Sequence, residues 1–118
     1  MEERRQIHRW RVMRDAKLQF DGDDRMVDCC IRDINSKGMQ ISMTERLPEK
    51  SSLRMNLLID QVLNLDVDAV IPWRTKEDSR NIYGLSFRQI ADEDKTQIFE
   101  YVSSHFPRQM REQWWGHA

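Results

Sequence analysis

The sequence has few of the residues that mark disulfide-rich and zinc-binding proteins. Its 118 residues include only two cysteines and three histidines. The cysteines are adjacent, at Cys29 and Cys30, and no histidine lies at a metal-ligand spacing from them, so a structural disulfide and a zinc site are disfavoured. Successive side chains of a strand point to opposite faces, and we therefore expect one buried thiol and one partly exposed thiol.

Long apolar runs and a charge of one sign are also missing. No segment approaches the roughly 20 apolar residues that span a bilayer, and the N-terminus has no apolar stretch typical of a signal peptide. The 19 basic residues nearly cancel the 20 acidic ones, for a net charge of −1. This balance excludes the globally basic surface of a protein that coats nucleic acid. We expect a cytoplasmic protein with no membrane insertion and no nucleic-acid partner.

Familiar catalytic motifs are missing as well. The sequence contains no nucleophile elbow, no phosphate-binding loop, no HExxH helix and no dinucleotide fingerprint followed by a helix. We therefore expect a protein that is not an enzyme and that has no catalytic residue, no metal and no cofactor.

The pattern that dominates the chain is an alternation of apolar and polar residues with a period of two, typical of half-buried strands. Charged or glycine-containing turns interrupt it, among them residues 21–24 and 74–80. Pro72 lies near the end of the fifth strand, where a bulge or a sheet edge would accept it. The pattern predicts six strands, which begin near Trp10, Met26, Met39, Leu53, Leu63 and Ile82.

After Asp92, which resembles an N-cap, the period becomes helical. Six antiparallel strands with short turns and one helix predict a mainly β protein, a small barrel or sandwich with a C-terminal α-helix. We expect a single domain over residues 1–118, with an arginine-rich arm at 1–9, the barrel at 10–88, the helix at 92–106 and a tail at 107–118.

Arginine is the commoner of the two basic residue types in this chain, and the arm is rich in it. Arg4, Arg5 and Arg9 precede the first strand, where Arg5 and Arg9 could converge on one ligand. A guanidinium group can grip a phosphate with two hydrogen bonds, bond the O6 and N7 edge of guanine, or stack on a purine. The usual role of such an arm, however, is a solvated terminus.

A second polar element follows the second strand. Asp33 can accept hydrogen bonds from guanine N–H groups, and Asn35 and Ser36 can reach phosphate or sugar oxygens. Gly38 allows close backbone approach. The same residues are ordinary in a turn between strands. Together with the arm they describe a guanine nucleotide site.

The two elements, in this order with a strand between them, resemble the signature of the PilZ domain family, bacterial receptors for the second messenger cyclic di-GMP. The matching residues are Arg5-x-x-x-Arg9 and Asp33-x-Asn35-x-x-Gly38. Residues 70–74 and 82–87 resemble the later strand pair of the family, and a helix follows as in that fold. The resemblance covers almost the whole chain and implies a six-stranded antiparallel barrel of the PilZ type.

The resemblance also implies roles for these residues. Arg5 and Arg9 would clamp guanine and phosphate, Asp33 would read a guanine edge, and Gly38 would keep the turn open to the ligand. Asn35 stands where the family usually has Ser or Ala. An additional arginine at the position of Arg4 tends to accompany binding of a stacked ligand dimer in this family.

Three functional interpretations follow. In the first, binding of cyclic di-GMP folds the arm over the ligand, and the changed surface is read by a protein partner, with the receptor a monomer or a weak homodimer. In the second, the domain is degenerate, does not bind nucleotide and acts as a protein-interaction adaptor; Asn35 keeps this interpretation open. In the third, a small barrel binds single-stranded RNA or DNA, which the net charge and the few exposed aromatic residues disfavour.

The aromatic residues divide into two groups. Trp10 and Trp73 lie in alternating strands and are expected in the core or lining the site. In the tail, Phe106, Met110 and Trp114 recur at a spacing of four with Trp115 beside them, which favours a segment that folds back onto the barrel over one that exposes a Trp pair to a partner.

Overall fold

The computed structural model describes residues 9–49 and 52–110. Arg4, Arg5, Trp114 and Trp115 lie outside the described residues. The strands and the helix follow in the order that the alternation predicts. Their bounds are β1 (Trp10–Phe20), β2 (Met26–Ile34), β3 (Gly38–Met43), β4 (Leu53–Ile59), β5 (Leu63–Glu77), β6 (Arg80–Gln89) and α1 (Asp92–His105).

The six strands form a closed antiparallel barrel in the order β1-β2-β3-β6-β5-β4. Closure occurs between β1 and β4, so the sheet of this barrel has no free lateral edge along the paired residues. The barrel prediction is therefore confirmed and the sandwich alternative is wrong. Among the described residues, no helix is long and apolar enough to cross a membrane.

The core consists of the apolar residues of the alternating pattern. Leu18, Ile31, Leu57 and Leu65 are fully buried, and each belongs to a different strand. Trp10 is buried as expected. Cys29 is buried and Cys30 partly exposed, which confirms the expectation for the two thiols. Burial raises the pKa of the Cys29 thiol to about 12, which keeps it protonated at neutral pH.

A bulge in β1 explains why the alternation fails at Met13 and Arg14. The register of β1 against β2 shifts between Arg11 and Arg14, and Met13 has a φ of 47°. A residue in this left-handed region costs about 1–3 kcal/mol, which the surrounding contacts must offset. Val12 before the bulge and Ala16 after it are both buried, so the same face of β1 points to the core on either side of the bulge.

Helix α1 covers the barrel through one buried stripe. Ile98, Tyr101 and Val102 are buried against the core. The N-cap is Ala91, with no side-chain cap hydrogen bond, whereas Asp92 occupies the first helical position. The predicted N-cap was thus one residue too late, and the helix ends at His105 rather than 106. Asp92, Glu93 and Asp94 in the first turn favour the helix through its dipole.

The hairpin of β5 and β6 is longer than predicted. Residues 74–80 were expected to form a turn, but β5 continues to Glu77, which pairs with Arg80. Arg74–Glu77 are exposed throughout, so buried and exposed residues do not alternate there and the strand leaves no pattern in the sequence. A register shift between Val70 and Trp73 surrounds Pro72, in agreement with the expected bulge.

Gly38 is required by the packing of β3 on β6. A Cβ at this position would lie 2.1 Å from the backbone oxygen of Leu85. The clash is with backbone atoms, which cannot move aside without shifting a strand. This close approach is a structural reason for Gly38 that is independent of any ligand.

Gly38→Ala is therefore expected to lower the free energy of unfolding by about 2 kcal/mol or more. The matched control is Gly22→Asn. Gly22 has a φ of +82° with open space around it, and Asn tolerates this conformation, so the cost is expected to stay below about 1 kcal/mol. Urea unfolding of both variants compares the two values. Equal losses would contradict the role assigned to the Leu85 contact.

Candidate functional site

The root of the N-terminal arm and the turn after β2 meet on the outside of the barrel. The guanidinium Nη1 of Arg9 lies 3.4 Å from the carboxylate Oδ1 of Asp33. Backbone pairing brings them together, because Trp10 pairs with Ile34 and Arg11 with Asp33. The structure thus places one residue of each signature element in contact. The interaction is partly exposed, and such pairs contribute about 0–1 kcal/mol, so a ligand can displace it.

The turn between β2 and β3 is closed by the side chain of Asn35. Its Oδ1 accepts hydrogen bonds from the backbone N–H of Lys37 at 2.7 Å and of Gly38 at 3.0 Å. The Asn35 N–H also donates to the Gly38 carbonyl at 2.9 Å. Asn35 is only 6% exposed. Its side-chain oxygen therefore shapes the turn instead of facing solvent, while Ser36 and Lys37 project at the rim.

A row of outward-facing residues crosses four strands from this turn. Asp33 pairs with Gln40 of β3, Gln40 with Gly84 of β6, and Gly84 with Trp73 of β5. With neighbouring strands about 4.8 Å apart, the row is roughly 14 Å long. It places the Asp33 carboxylate at one end and the Trp73 indole at the other, with the Gln40 amide and the backbone of Gly84, which the indole covers, between them.

Trp73 lies on the outer surface, so of its two expected places, the core and the lining of the site, the core is wrong. It is 40% exposed. The indole covers Gly84, where an added Cβ would lie 2.3 Å from Nε1 and 2.4 Å from Cε2. An aromatic ring that packs on a cross-strand glycine is held in place while one of its faces stays open. The ring is a stacking surface for a planar group.

Two features of the sequence are signals for this arrangement. A glycine in the middle of β6 indicates close approach of another group, and a tryptophan follows Pro72 at the bulge. The pairing register was needed to show that Gly84 and Trp73 are opposite each other. Gln40 is a further residue of the row that the sequence analysis did not select.

A recess of about 620 Å³ opens beside the turn. Ser36 and Lys37 lie on its wall, and Phe87 contributes apolar surface. The charged residues of the wall are four cations and one carboxylate, namely Lys37, Arg54, Arg88, Lys95 and Asp68. The recess and the row both adjoin the β2–β3 turn, the recess through Ser36 and Lys37 and the row through Asp33. The cations of the recess suit an anionic ligand.

Burial raises the pKa of the Asp33 carboxyl above its usual value. The neighbouring guanidinium groups of Arg9, Arg32 and Arg11 and the backbone N–H of Gln40 offset part of this effect. Asp33 is thus held as a partly desolvated acceptor next to cations. Such a group forms strong hydrogen bonds with N–H donors that replace lost water.

Comparisons with known proteins agree with the fold and with the order of these elements. The sequence model of the family described as PilZ domain matches residues 3–104. The chain belongs to the PilZ family, a family of cyclic di-GMP receptors. No curated protein sequence matches the chain significantly.

Two solved structures are similar to the chain. The inhibitor of motility MotI/DgrA from Bacillus subtilis has a TM-score of 0.67 and 19% identity, and the match covers 93% of this chain and 53% of that one. YcgR from Escherichia coli, solved in complex with c-di-GMP, has a TM-score of 0.67 and 15% identity, with coverage of 98% and 51%. The chain spans about half the length of both structures.

The raised pKa of Asp33 gives a prediction for the stability of the free protein. A raised folded-state pKa means that folding favours the protonated carboxyl. This contribution to stability is present below the unfolded-state pKa of about 3.8 and is lost as the pH rises through the folded-state pKa. Asp33→Asn, which mimics the protonated group, is therefore expected to raise the free energy of unfolding at pH 7 and to lose this advantage in acid.

Urea unfolding at pH 7 and at about pH 3, below the unfolded-state pKa, measures the difference. The control is Asp28→Asn on the same strand, where the carboxylate is 81% exposed and pairs with Lys17; no gain is expected there. A loss of stability for Asp33→Asn at pH 7 would show that the Arg9 ion pair outweighs the cost of burial.

Proposed function

We propose that this PilZ domain binds cyclic di-GMP on the outer surface formed by the arm, the β2–β3 turn and the row that ends at Trp73. The observation that carries the proposal is the contact of Arg9 with Asp33, since it joins the two signature elements beside an open row. The complex of the similar YcgR structure with c-di-GMP supports the choice of ligand.

In this proposal Asp33 reads the guanine base. The N1–H and N2–H₂ donors of guanine face one edge of the ring, and a carboxylate accepts from both. Arg9 leaves its ion pair with Asp33 when the ligand binds. Its guanidinium group then binds a phosphate or the O6 and N7 edge of guanine. Arg5 approaches from the arm, and Arg4 adds a third guanidinium for a second, stacked ligand.

Asn35 and Gly38 support the site by shaping its backbone. Two amides are held by the Asn35 side chain, a bonding pattern that a Ser hydroxyl also makes, more weakly. The replacement of the usual Ser or Ala by Asn is therefore compatible with an intact turn. The degenerate adaptor was considered mainly because Asn35 departs from the family pattern. An intact turn with Asn35 therefore favours the receptor.

Trp73 and the basic recess extend the site. The exposed face of the indole stacks on a guanine, which contributes about 1–3 kcal/mol for a base on an aromatic ring. The cations of the recess lower the electrostatic energy of the phosphodiester groups. Ordering of the arm over the ligand changes the surface near the barrel mouth, and a protein partner reads that change in the cytoplasm.

Isothermal titration of the purified protein with cyclic di-GMP tests the proposal, with GTP as the control ligand. Saturable binding is expected. Arg5→Ala, Arg9→Ala and Asp33→Asn should each weaken it about tenfold or more, since a hydrogen bond with a charged partner contributes about 1.5–3 kcal/mol. The matched control is Arg25→Ala, which removes an exposed pair with Glu45 at 2.9 Å in a part of the barrel outside the proposed site. Its affinity should be unchanged.

No heat from the folded wild-type protein at high micromolar ligand would refute the receptor proposal and favour the protein-interaction adaptor. Equal losses in Arg25→Ala and Arg9→Ala would show a general electrostatic effect without a defined site. The ligand ratio, measured for the wild type and Arg4→Ala, reports whether a stacked dimer binds.

Stacking on Trp73 gives an independent prediction. Affinity for cyclic di-GMP should decrease in the order wild type, Trp73→Phe, Trp73→Ala, with a total loss of about fivefold to a hundredfold. Tryptophan fluorescence should be quenched on binding in the wild type and much less in Trp73→Phe. Unchanged quenching in Trp73→Phe would remove Trp73 from the site.

A further inference from the structure

The side chain of Gln109 contacts the backbone of β1 next to the proposed site, across 98 residues of sequence. The Arg11 N–H donates to Gln109 Oε1 at 2.8 Å, and Gln109 Nε2 donates to the Arg11 carbonyl. One amide thus supplies both the acceptor and the donor that a neighbouring strand would supply. We call this pair of hydrogen bonds the Gln109–Arg11 contact.

The contact occupies a part of β1 that β4 does not reach. Pairing of β1 with β4 runs from Ala16 to Phe20, whereas pairing with β2 reaches Trp10. The backbone groups of Arg11 on the β4 side therefore need other partners. Gln109 fills that place.

The segment that carries Gln109 is anchored on the barrel. Phe106 and Met110 are partly buried against the core, which confirms the predicted packing for these two tail residues. The Arg14 guanidinium lies 4.8 Å from the centroid of the Phe106 ring. Its Nε is also 3.3 Å from Asp60 Oδ2, which accepts a hydrogen bond from the Tyr101 hydroxyl at 3.0 Å. The position of Gln109 is therefore set by several independent contacts.

The contact lies beside the β1 bulge and close to the arm. Gln109 holds Arg11, two residues before the strained Met13. Arg14, directly after Met13, donates from its Nη1 to the Val12 carbonyl at 3.1 Å. Without these bonds, the free energy stored at Met13 would favour relaxation of the strand. Such a relaxation changes the direction in which the chain leaves β1 toward Arg9.

We propose that Gln109 is a positioning residue for the ligand site, which holds the start of β1 so that Arg9 stands opposite Asp33. The inference rests on the proposed binding of cyclic di-GMP. Arg9, just before β1, and Arg11 are both exposed on either side of the buried Trp10, and Arg11 pairs directly with Asp33. Holding the Arg11 backbone therefore fixes the register of the arm root against the carboxylate that reads the base.

Gln109→Met tests the proposal, because Met keeps the length and the packing of the side chain and removes both hydrogen bonds. The matched control is Gln19→Met. The Gln19 side chain also bonds to the backbone, since its Nε2 donates to the Asp23 carbonyl at 2.8 Å. This hydrogen bond lies at the turn after β1, at the end of the strand opposite to Arg11. Both variants should lose similar stability.

Two measurements on these variants decide the question. Hydrogen exchange by NMR in the ligand-free protein should show a protected Arg11 amide in the wild type and in Gln19→Met, and faster exchange in Gln109→Met. The affinity for cyclic di-GMP should fall about threefold to tenfold in Gln109→Met, the equivalent of one to two neutral hydrogen bonds. It should be unchanged in Gln19→Met.

A double-mutant cycle with Arg9→Ala separates positioning from general stability. If Gln109 acts through Arg9, Gln109→Met should have little further effect on affinity in the Arg9→Ala protein. A wild type that binds cyclic di-GMP while Gln109→Met binds it equally or more tightly would overturn the positioning role alone. Fast exchange of the Arg11 amide in the wild type would also overturn it, and a folded wild type that binds no cyclic di-GMP would refute both proposals.

Discussion

The short pairing of β1 with β4 is the constraint on which the arrangement of the site depends. The barrel closes through Ala16–Phe20 of β1 only, and the first half of the strand continues beyond its neighbour. Trp10 and Val12 in this half are buried although β4 does not reach them, so another part of the chain lies beside them. The C-terminal segment covers it through Gln109, Phe106 and Met110. Both ends of the described chain thereby meet at the strand that leads to the arm.

Several features of the proposed site oppose stability. Burial makes ionisation of Asp33 less favourable, Trp73 exposes apolar surface to water, and Met13 has a strained backbone. Such costs are common at ligand-binding surfaces, because a group whose hydrogen bonds and packing are complete within the fold cannot bind a ligand. The barrel core, with its fully buried aliphatic residues, provides the stability that allows these exceptions.

The strands were predictable where one face of each strand is buried, since burial imposes the period of two. The prediction failed at residues 74–80, because Arg74–Glu77 of β5 are exposed whichever way their side chains point, and their polarity therefore shows no alternation. The same reason accounts for Trp73: its alternation with core residues is interrupted by the bulge at Pro72, which changes the face to which it belongs. Asn35 was identified as a site residue by its motif, but only its hydrogen bonds show that its oxygen closes the turn.

The antiparallel strands, the helix and the two signature elements were predictable from the sequence, because periodicity and turn chemistry are local properties of the chain. The signature elements also carry the resemblance to the family. Which residues lie side by side on the surface depends on the three-dimensional fold. Register and barrel closure place Asp33, Gln40, Gly84 and Trp73 in one row and bring Gln109 to Arg11, since these pairings depend on how distant strands and segments align in space and leave no periodic trace in the sequence.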